Sequence, residues 1–131
     1  MRAVYFTLSF LILIGTSCKN AVDPKTDIRH EQLMMVYDEL EALLPHLEGL
    51  EKNIRKKRHQ ITDLERNKKF QTVNKDLDNK ILEIKEWKSN YKKPTNLSSS
   101  KQVEYMISKQ REIEELRKEV EILIGSAARM M

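Results

Sequence analysis

Three histidines, His30, His46 and His59, are the residues of this sequence that most readily bind a metal ion or move a proton near neutral pH. No two of them lie three or four positions apart, which is the spacing that places a zinc-binding pair on one face of a helix. The chain has a single cysteine, so a site built from several thiolates is excluded as well. We therefore expect solvated histidines, no metal site and no cofactor.

Two other groups of residues could do chemistry, but their spacing argues against it. Met34 and Met35 are adjacent, so they point to different sides of a helix, and methionine commonly fills cores. Asp38, Glu39 and Glu41 share an exposed helix face, whereas acid–base catalysis needs carboxylates that converge in a cleft. A glycine-rich phosphate loop is absent from a chain with three glycines. The sequence thus predicts that the protein is not an enzyme.

The one thiol, Cys18, directly follows an apolar segment near the start of the chain. Arg2, the apolar stretch 3–15 and the small residues Thr16 and Ser17 have the order of a secretory signal. The apolar core of about 13 residues is too short to span a bilayer as a mature helix. A lone cysteine forms no internal disulfide, but a lipoprotein signal uses it as the point of lipid attachment. We predict a signal peptide over residues 1–17 and lipidation of Cys18; the alternative is a plain secretory peptide that leaves a free thiol.

The residues around this cysteine also resemble a known family. The sequence Ser17-Cys18-Lys19-Asn20, behind a segment rich in Ile and Leu, resembles the start of lipoproteins from Bacteroidota. Gly15 departs from their usual motif, which has Leu, Val or Ile at that place. The resemblance implies a membrane anchor in the bacterial cell envelope, in the outer membrane, on its periplasmic or its surface side.

The rest of the chain resembles small helical lipoproteins of the same phylum, some of which are labelled "viral A-type inclusion protein". The resemblance is carried by MMVYDELEALLPHLEGLEKNI, by Trp87, and by YMISKQREIEELRKEVEILIGSAARMM. Tyr37 departs from the family, where a histidine is expected. These proteins have no assigned activity, so the resemblance implies a location and a helical fold but no chemistry.

The mature chain divides into a short tether and one helical domain. Residues 18–27, with the lipidated cysteine, Pro24 and several polar turn-formers, are predicted to be a flexible tether, and residues 28–131 the helical domain. Apolar residues that step by threes and fours predict a first helix over about 28–66, with a kink at Pro45 and a break in the apolar seam at Lys57. The predicted seam consists of Leu33, Val36, Leu40, Leu43, Leu47, Leu50, Ile54, Ile61 and Leu64.

Two more amphipathic helices follow. The second is predicted over about 73–92, with Trp87 and Tyr91 as core anchors, and Pro94 stops it. The third is predicted over about 100–125, opened by a capping box of Ser99 and Gln102. Three apolar stripes joined by short loops bury one another best as an all-α, antiparallel three-helix bundle. The alternative is a coiled-coil dimer that pairs through the long first helix.

One charged surface favours binding. The run Lys52, Arg55, Lys56 and Arg58 could contact anionic envelope material or an acidic protein, and Lys68 and Lys69 follow it; the alternative is a solvated face. Nucleic acid is disfavoured, because the chain carries only 24 basic against 20 acidic side chains and no aromatic residues are interleaved with the run.

The predicted function is that of a lipid-anchored helical binding or structural module without catalysis. Its partners are the membrane, through the N-terminal lipid, and a protein or an anionic envelope component; a homo-oligomer is left open. Two alternative functions are a coiled-coil envelope spacer and a periplasmic helical chaperone or ligand carrier.

Overall fold

A computed structural model describes residues 24–131, and the predicted signal peptide, Cys18 and residues 19–23 lie outside this part of the chain. Four helices follow one another: α1 (Pro24–Ala42), α2 (Leu44–Arg58), α3 (Leu64–Asn90) and α4 (Ser99–Met130). Only Leu43 separates α1 from α2, and together they form one long helix with a bend of 31°. The predicted antiparallel three-helix bundle with a long, kinked first helix is confirmed. Within residues 24–131, no helix combines the length and apolar character that crossing a membrane requires.

The bend in the first helix follows from Pro45, which stands in the first turn of α2. Proline has no N–H to donate to the carbonyl of Glu41. The N–H of Leu43 forms a tighter turn by donating to the carbonyl of Leu40 at 3.0 Å, and the N–H of Leu47 resumes the helix by donating to the carbonyl of Leu43 at 2.9 Å. Pro45 itself is exposed, as its place outside the apolar seam predicts.

The core is a continuous apolar stripe on the bent helix, covered by α3 and α4. Leu33, Leu40, Leu47 and Ile54 of this stripe have no exposed surface. The half before the bend packs chiefly against α4, and the half after it packs chiefly against α3. The bend therefore lets one long helix pack against two different helices. The seam that a coiled-coil dimer would use is therefore buried inside the single chain. The buried apolar residues of the other two helices are Phe70, Leu77, Ile84, Met106, Ile113, Leu116, Val120 and Ala127.

The boundary between the first two predicted helices is wrong. The first helix ends at Arg58 rather than 66, and the next begins at Leu64 rather than 73. Asp63 starts α3 early, because its carboxylate accepts a backbone N–H of the first turn at 2.8 Å. Asn67 closes the intervening turn, since its side-chain amide donates to the carbonyls of Arg58 and Ile61, both at 3.2 Å.

Because of this shift in the helix boundary, two side chains differ from the prediction in whether they face the core or the solvent. Leu64, assigned to the seam, is 69% exposed, whereas Phe70 is buried. The burial of Phe70 was not predicted, because Phe70 is the single apolar residue of the run RNKKFQT. Such a run predicts a break rather than a helix.

The opposite end of the bundle, where α1 begins and α3 passes into α4, is called the tether end. Pro24 to Asp27, predicted as tether, form the first turn of α1. The predicted capping box is also wrong, because Ser98 is the N-cap of α4 and its side chain forms no capping bond. The Gln102 side chain is buried instead; its oxygen accepts from the hydroxyl of Thr26 at 3.0 Å, and its nitrogen donates to a loop carbonyl at 2.8 Å. The far end of α4 extends to Met130 rather than 125.

The buried stripe yields a direct test. Leu47→Asp places an unpaired charge in the core and should lower the free energy of unfolding by about 3 kcal/mol or more. Asn53→Asp introduces the same side chain on an exposed position of the same helix and should change it by less than about 0.5 kcal/mol. Urea denaturation of both variants measures the difference, and equal effects would contradict the assignment of the buried face.

Candidate functional site

The remote end is the end of the bundle opposite the tether end. It is formed by the C-terminal ends of α2 and α4 and by the N-terminal end of α3. Its central contact is made by Lys57, whose Nζ donates to the carbonyls of Met130 at 3.2 Å and Met131 at 3.1 Å. The ring of Phe70 lies beside the same ammonium group, 6.0 Å away. The lysine that interrupts the seam thus neutralises the negative end of the α4 dipole.

One of the four predicted contact residues, Arg55, is engaged in a structural contact. It forms an ion pair with Glu51, one turn earlier on α2. Glu51 is a buried carboxylate, 7% exposed, and it also accepts from the side-chain amide of Asn74 on α3 at 3.1 Å. Since a buried carboxylate needs partners, Arg55 stabilises the packing of α2 on α3 and is not wholly available to a ligand.

Of the other three predicted contact residues, one is held by a structural contact and two are not. Arg58 donates through Nε to the side-chain oxygen of Asn67 at 3.1 Å, so it belongs to the turn between α2 and α3. Lys52 and Lys56 are exposed, and no ion pair within residues 24–131 involves them. Two of the four predicted cations are therefore held by the fold, and two face solvent.

The structure contains a basic groove that the sequence analysis did not predict. The groove lies between α3 and α4 at the remote end and has a volume of about 580 Å³. Sequence reasoning noted two of its lysines but missed the arginine, because α4 returns to this end only through the antiparallel fold. Three cations, two hydroxyls and two apolar side chains line it: Lys68, Lys69, Arg129, Thr72, Ser126, Val73 and Met130.

Three cationic side chains give this groove a positive charge, although most of the surface that lines it is apolar. Arg129 donates to the hydroxyl of Ser126 at 3.4 Å, and none of the ion pairs in the described chain includes Arg129, Lys68 or Lys69. The three positive charges thus have no carboxylate partner within residues 24–131. The last carbonyls of α4 form the negative end of a helix dipole and would repel an anion. Because Lys57 donates to these carbonyls, this repulsion is reduced.

A second cluster, of aromatic rings, lies towards the tether end. Trp87 stacks on Tyr37 and on Tyr91, with ring centroids 5.5 and 5.1 Å apart. Tyr91 continues the stack to His30 and Tyr105 at 5.6 and 6.3 Å. Trp87 and Tyr91 pack against the core, as predicted, but the expectation of a solvated His30 is wrong. Its Nδ1 lies 2.7 Å from the Tyr91 hydroxyl oxygen, in a partly buried contact.

Burial in this aromatic cluster shifts the protonation equilibrium of Tyr91. Burial, with the neighbouring Tyr105, raises the pKa of Tyr91 to about 12, so its hydroxyl stays protonated at neutral pH. His46 and His59 are exposed, in line with the sequence. Within residues 24–131, no three His, Cys, Asp or Glu side chains are grouped so that they could hold a metal ion.

Comparison with known proteins adds no assignment to this site. No family model, no curated protein and no solved structure matches the chain. The site is therefore interpreted from its own geometry.

The contact between His30 and Tyr91 predicts a pH dependence of stability. Burial lowers the pKa of His30, helped by the charge of Lys93 and opposed by Asp27 and Glu31. The unfolded chain, in which the pKa returns to about 6.5, then binds the proton more tightly than the folded chain. The free energy of unfolding should therefore fall as the pH drops below about 6.5.

Urea denaturation at about pH 7.5 and about pH 5 checks this, with the parent compared to His30→Gln. The loss of stability on acidification should be smaller in His30→Gln, while His46→Gln, an exposed control, should behave as the parent does. The same loss in all three proteins would show that His30 does not contribute.

Proposed function

We propose that this chain is a lipid-anchored protein of the bacterial outer membrane that acts as a helical binding module without catalysis. The anchor is Cys18, behind a segment with the composition of a lipoprotein signal. The binding surface is the remote end, with Lys52 and Lys56 and the neighbouring basic groove. Its partner is an anionic component of the envelope, recognised by phosphate or carboxylate groups.

The observation that carries this proposal is the separation of the two ends of the bundle. Five residues separate Cys18 from Pro24, and the six Cα–Cα steps between them span about 20 Å at most. A helix over residues 24–58 is about 50 Å long at 1.5 Å per residue. A lipid on Cys18 would therefore hold the tether end at the bilayer, and in an upright bundle the remote end would project towards other envelope components.

The charge of the remote end supports an anionic partner. Lys52, Lys56 and the three groove cations have no carboxylate partner within the described chain. Several cations elsewhere on the surface are paired instead, as Lys80 is with Glu83 and Glu119. Unpaired charge at one end attracts a ligand of opposite sign and accelerates its association.

The geometry also bears on the two alternative functions. A coiled-coil spacer would need the seam of the first helix for pairing between chains, but Leu40 and Leu47 of this seam are wholly buried. A carrier of apolar ligands would need an enclosed cavity, whereas the groove at the remote end is open to solvent. A binding module agrees with both observations.

The anchor is tested by Cys18→Ser. We expect this variant to remain unacylated, to retain its first 17 residues, and to be absent from the lipoprotein fraction of a Bacteroidota host. Mass spectrometry of the parent should show a chain that begins at Cys18 and carries two or three acyl chains, which stable anchoring requires. An unmodified Cys18 thiol in the mature parent would rule out the anchor.

The binding surface is tested with the lipidated chain in neutral detergent micelles and with polyphosphate as the anionic probe. Neutralising Lys68, Lys69 and Arg129 together to Gln should weaken binding by about 1 kcal/mol per charge. A control variant carries the same change at three exposed cations between the two ends of the bundle, Lys75, Arg111 and Lys118, and should bind as the parent does. Raising the salt should reproduce the loss, because the screening length shrinks to about 3 Å at 1 M. Equal losses in both variants would contradict a localised site.

A further inference from the structure

We propose that the tether end of the bundle is a membrane-docking surface, which lies on the headgroups of the anchoring bilayer and keeps the bundle upright. The surface is formed by the start of α1 and by the loop and first turn that lead into α4. This inference rests on the proposed lipid at Cys18, but it concerns a different surface from the basic remote end.

Exposed apolar side chains are the first observation that supports docking. Ile28, in the second turn of α1, is 57% exposed, and Leu97, two residues before α4, is 42% exposed. Both lie at the end of the bundle where the chain enters from Cys18. Exposed aliphatic side chains next to a lipid anchor gain free energy by entering the boundary between headgroups and acyl chains.

The charges around these two residues suit an anionic bilayer. Lys25 and Arg29 line a shallow depression together with Ile28. Lys92 and Lys101 are exposed on the other side of this end, in the loop and in the first turn of α4. Basic side chains beside exposed apolar ones are the combination that binds an interface rich in anionic lipids.

Contacts between the chain segments at the tether end would transmit docking there to the orientation of the whole domain. Thr26 and Gln102 are buried and bonded to each other, which ties the first turn of α1 to the first turn of α4. Asp27 of α1 forms an ion pair with Lys93 in the loop after α3. These contacts join all three helices of the bundle within a few residues of the docking surface.

Net positive charge alone would instead direct the remote end to the membrane. The distance argues against this for the membrane that holds the lipid, because about 20 Å of chain cannot bring a surface about 50 Å away to the same bilayer unless the bundle lies flat. A bundle lying on the face of α1 that carries Met35 would also bring Met35 to the headgroups. Met35 is 64% exposed on α1, about 16 Å along the helix from Pro24, so it distinguishes the two orientations.

The experiment uses the lipidated full chain in vesicles of phosphatidylglycerol and phosphatidylethanolamine that contain a lipid with a nitroxide quencher on its headgroup. Single cysteines are introduced at exposed positions and labelled with bimane. Leu97→Cys at the tether end is matched by Leu64→Cys, an exposed leucine beside a helix start at the remote end. Ile28→Cys and Met35→Cys report on α1 near to and farther from the tether.

We expect strong quenching at Leu97→Cys and Ile28→Cys and weak quenching at Leu64→Cys and Met35→Cys. Equal quenching at Leu97→Cys and Leu64→Cys would overturn the docking surface, and strong quenching at Met35→Cys would show a flat orientation and overturn the upright one. The parent should take up no label, because lipid blocks its one thiol. Labelling of the parent would overturn the lipid anchor itself, and this inference with it.

A charge variant separates docking from simple tethering. Replacing Arg29, Lys92 and Lys101 by Gln should roughly halve the quenching at Leu97→Cys in these acidic vesicles. The same change at Lys75, Arg111 and Lys118, which are exposed between the two ends of the bundle, should leave it unchanged. Quenching that neither variant alters would show that the lipid, rather than this surface, positions the bundle, and would overturn the proposal.

Discussion

The structure depends on one apolar stripe that must stay continuous across a proline. Leu33 and Leu40 precede Pro45 and Leu47 and Ile54 follow it, yet all four are wholly buried. A buried leucine or isoleucine contributes about 1.5–3 kcal/mol, so these few side chains are comparable with the net stability of a small domain. The bend of 31° keeps the stripe continuous while its two halves turn towards different helices, α4 and α3. The proline therefore sets the arrangement of the bundle rather than interrupting it.

Polar contacts close the two ends of this bundle and give each end its character. At the tether end, Thr26 and Gln102 satisfy each other inside the core, and Asp27 pairs with Lys93. At the remote end, Lys57 donates to the last carbonyls of α4. Because the structural contacts use only some of the charges, the remainder is left on the surface at the ends. The fold thus produces two separate basic surfaces, one at the tether end and one about 50 Å away at the remote end.

The sequence predicted the helical class, the bend and most of the core, because apolar spacing and a proline act locally. The turn between α2 and α3 was predicted too late in the sequence, because its residues include no glycine or proline. The side chains that define it are the cap at Asp63 and the amide of Asn67. The basic groove and the partial burial of His30 were not predicted either. Those features join residues far apart in the chain, and they arise only when α4 returns along the first helix.

The central claim is that an upright bundle presents its remote end away from the anchoring membrane. Neutron reflectometry of the lipidated protein on a supported bilayer measures this directly, as the thickness of the protein layer above the headgroups. An upright bundle should give a layer of about 50 Å, the length of the first helix. A layer of about 20 Å, which corresponds to two helix diameters and thus to a bundle lying on its side, would contradict it.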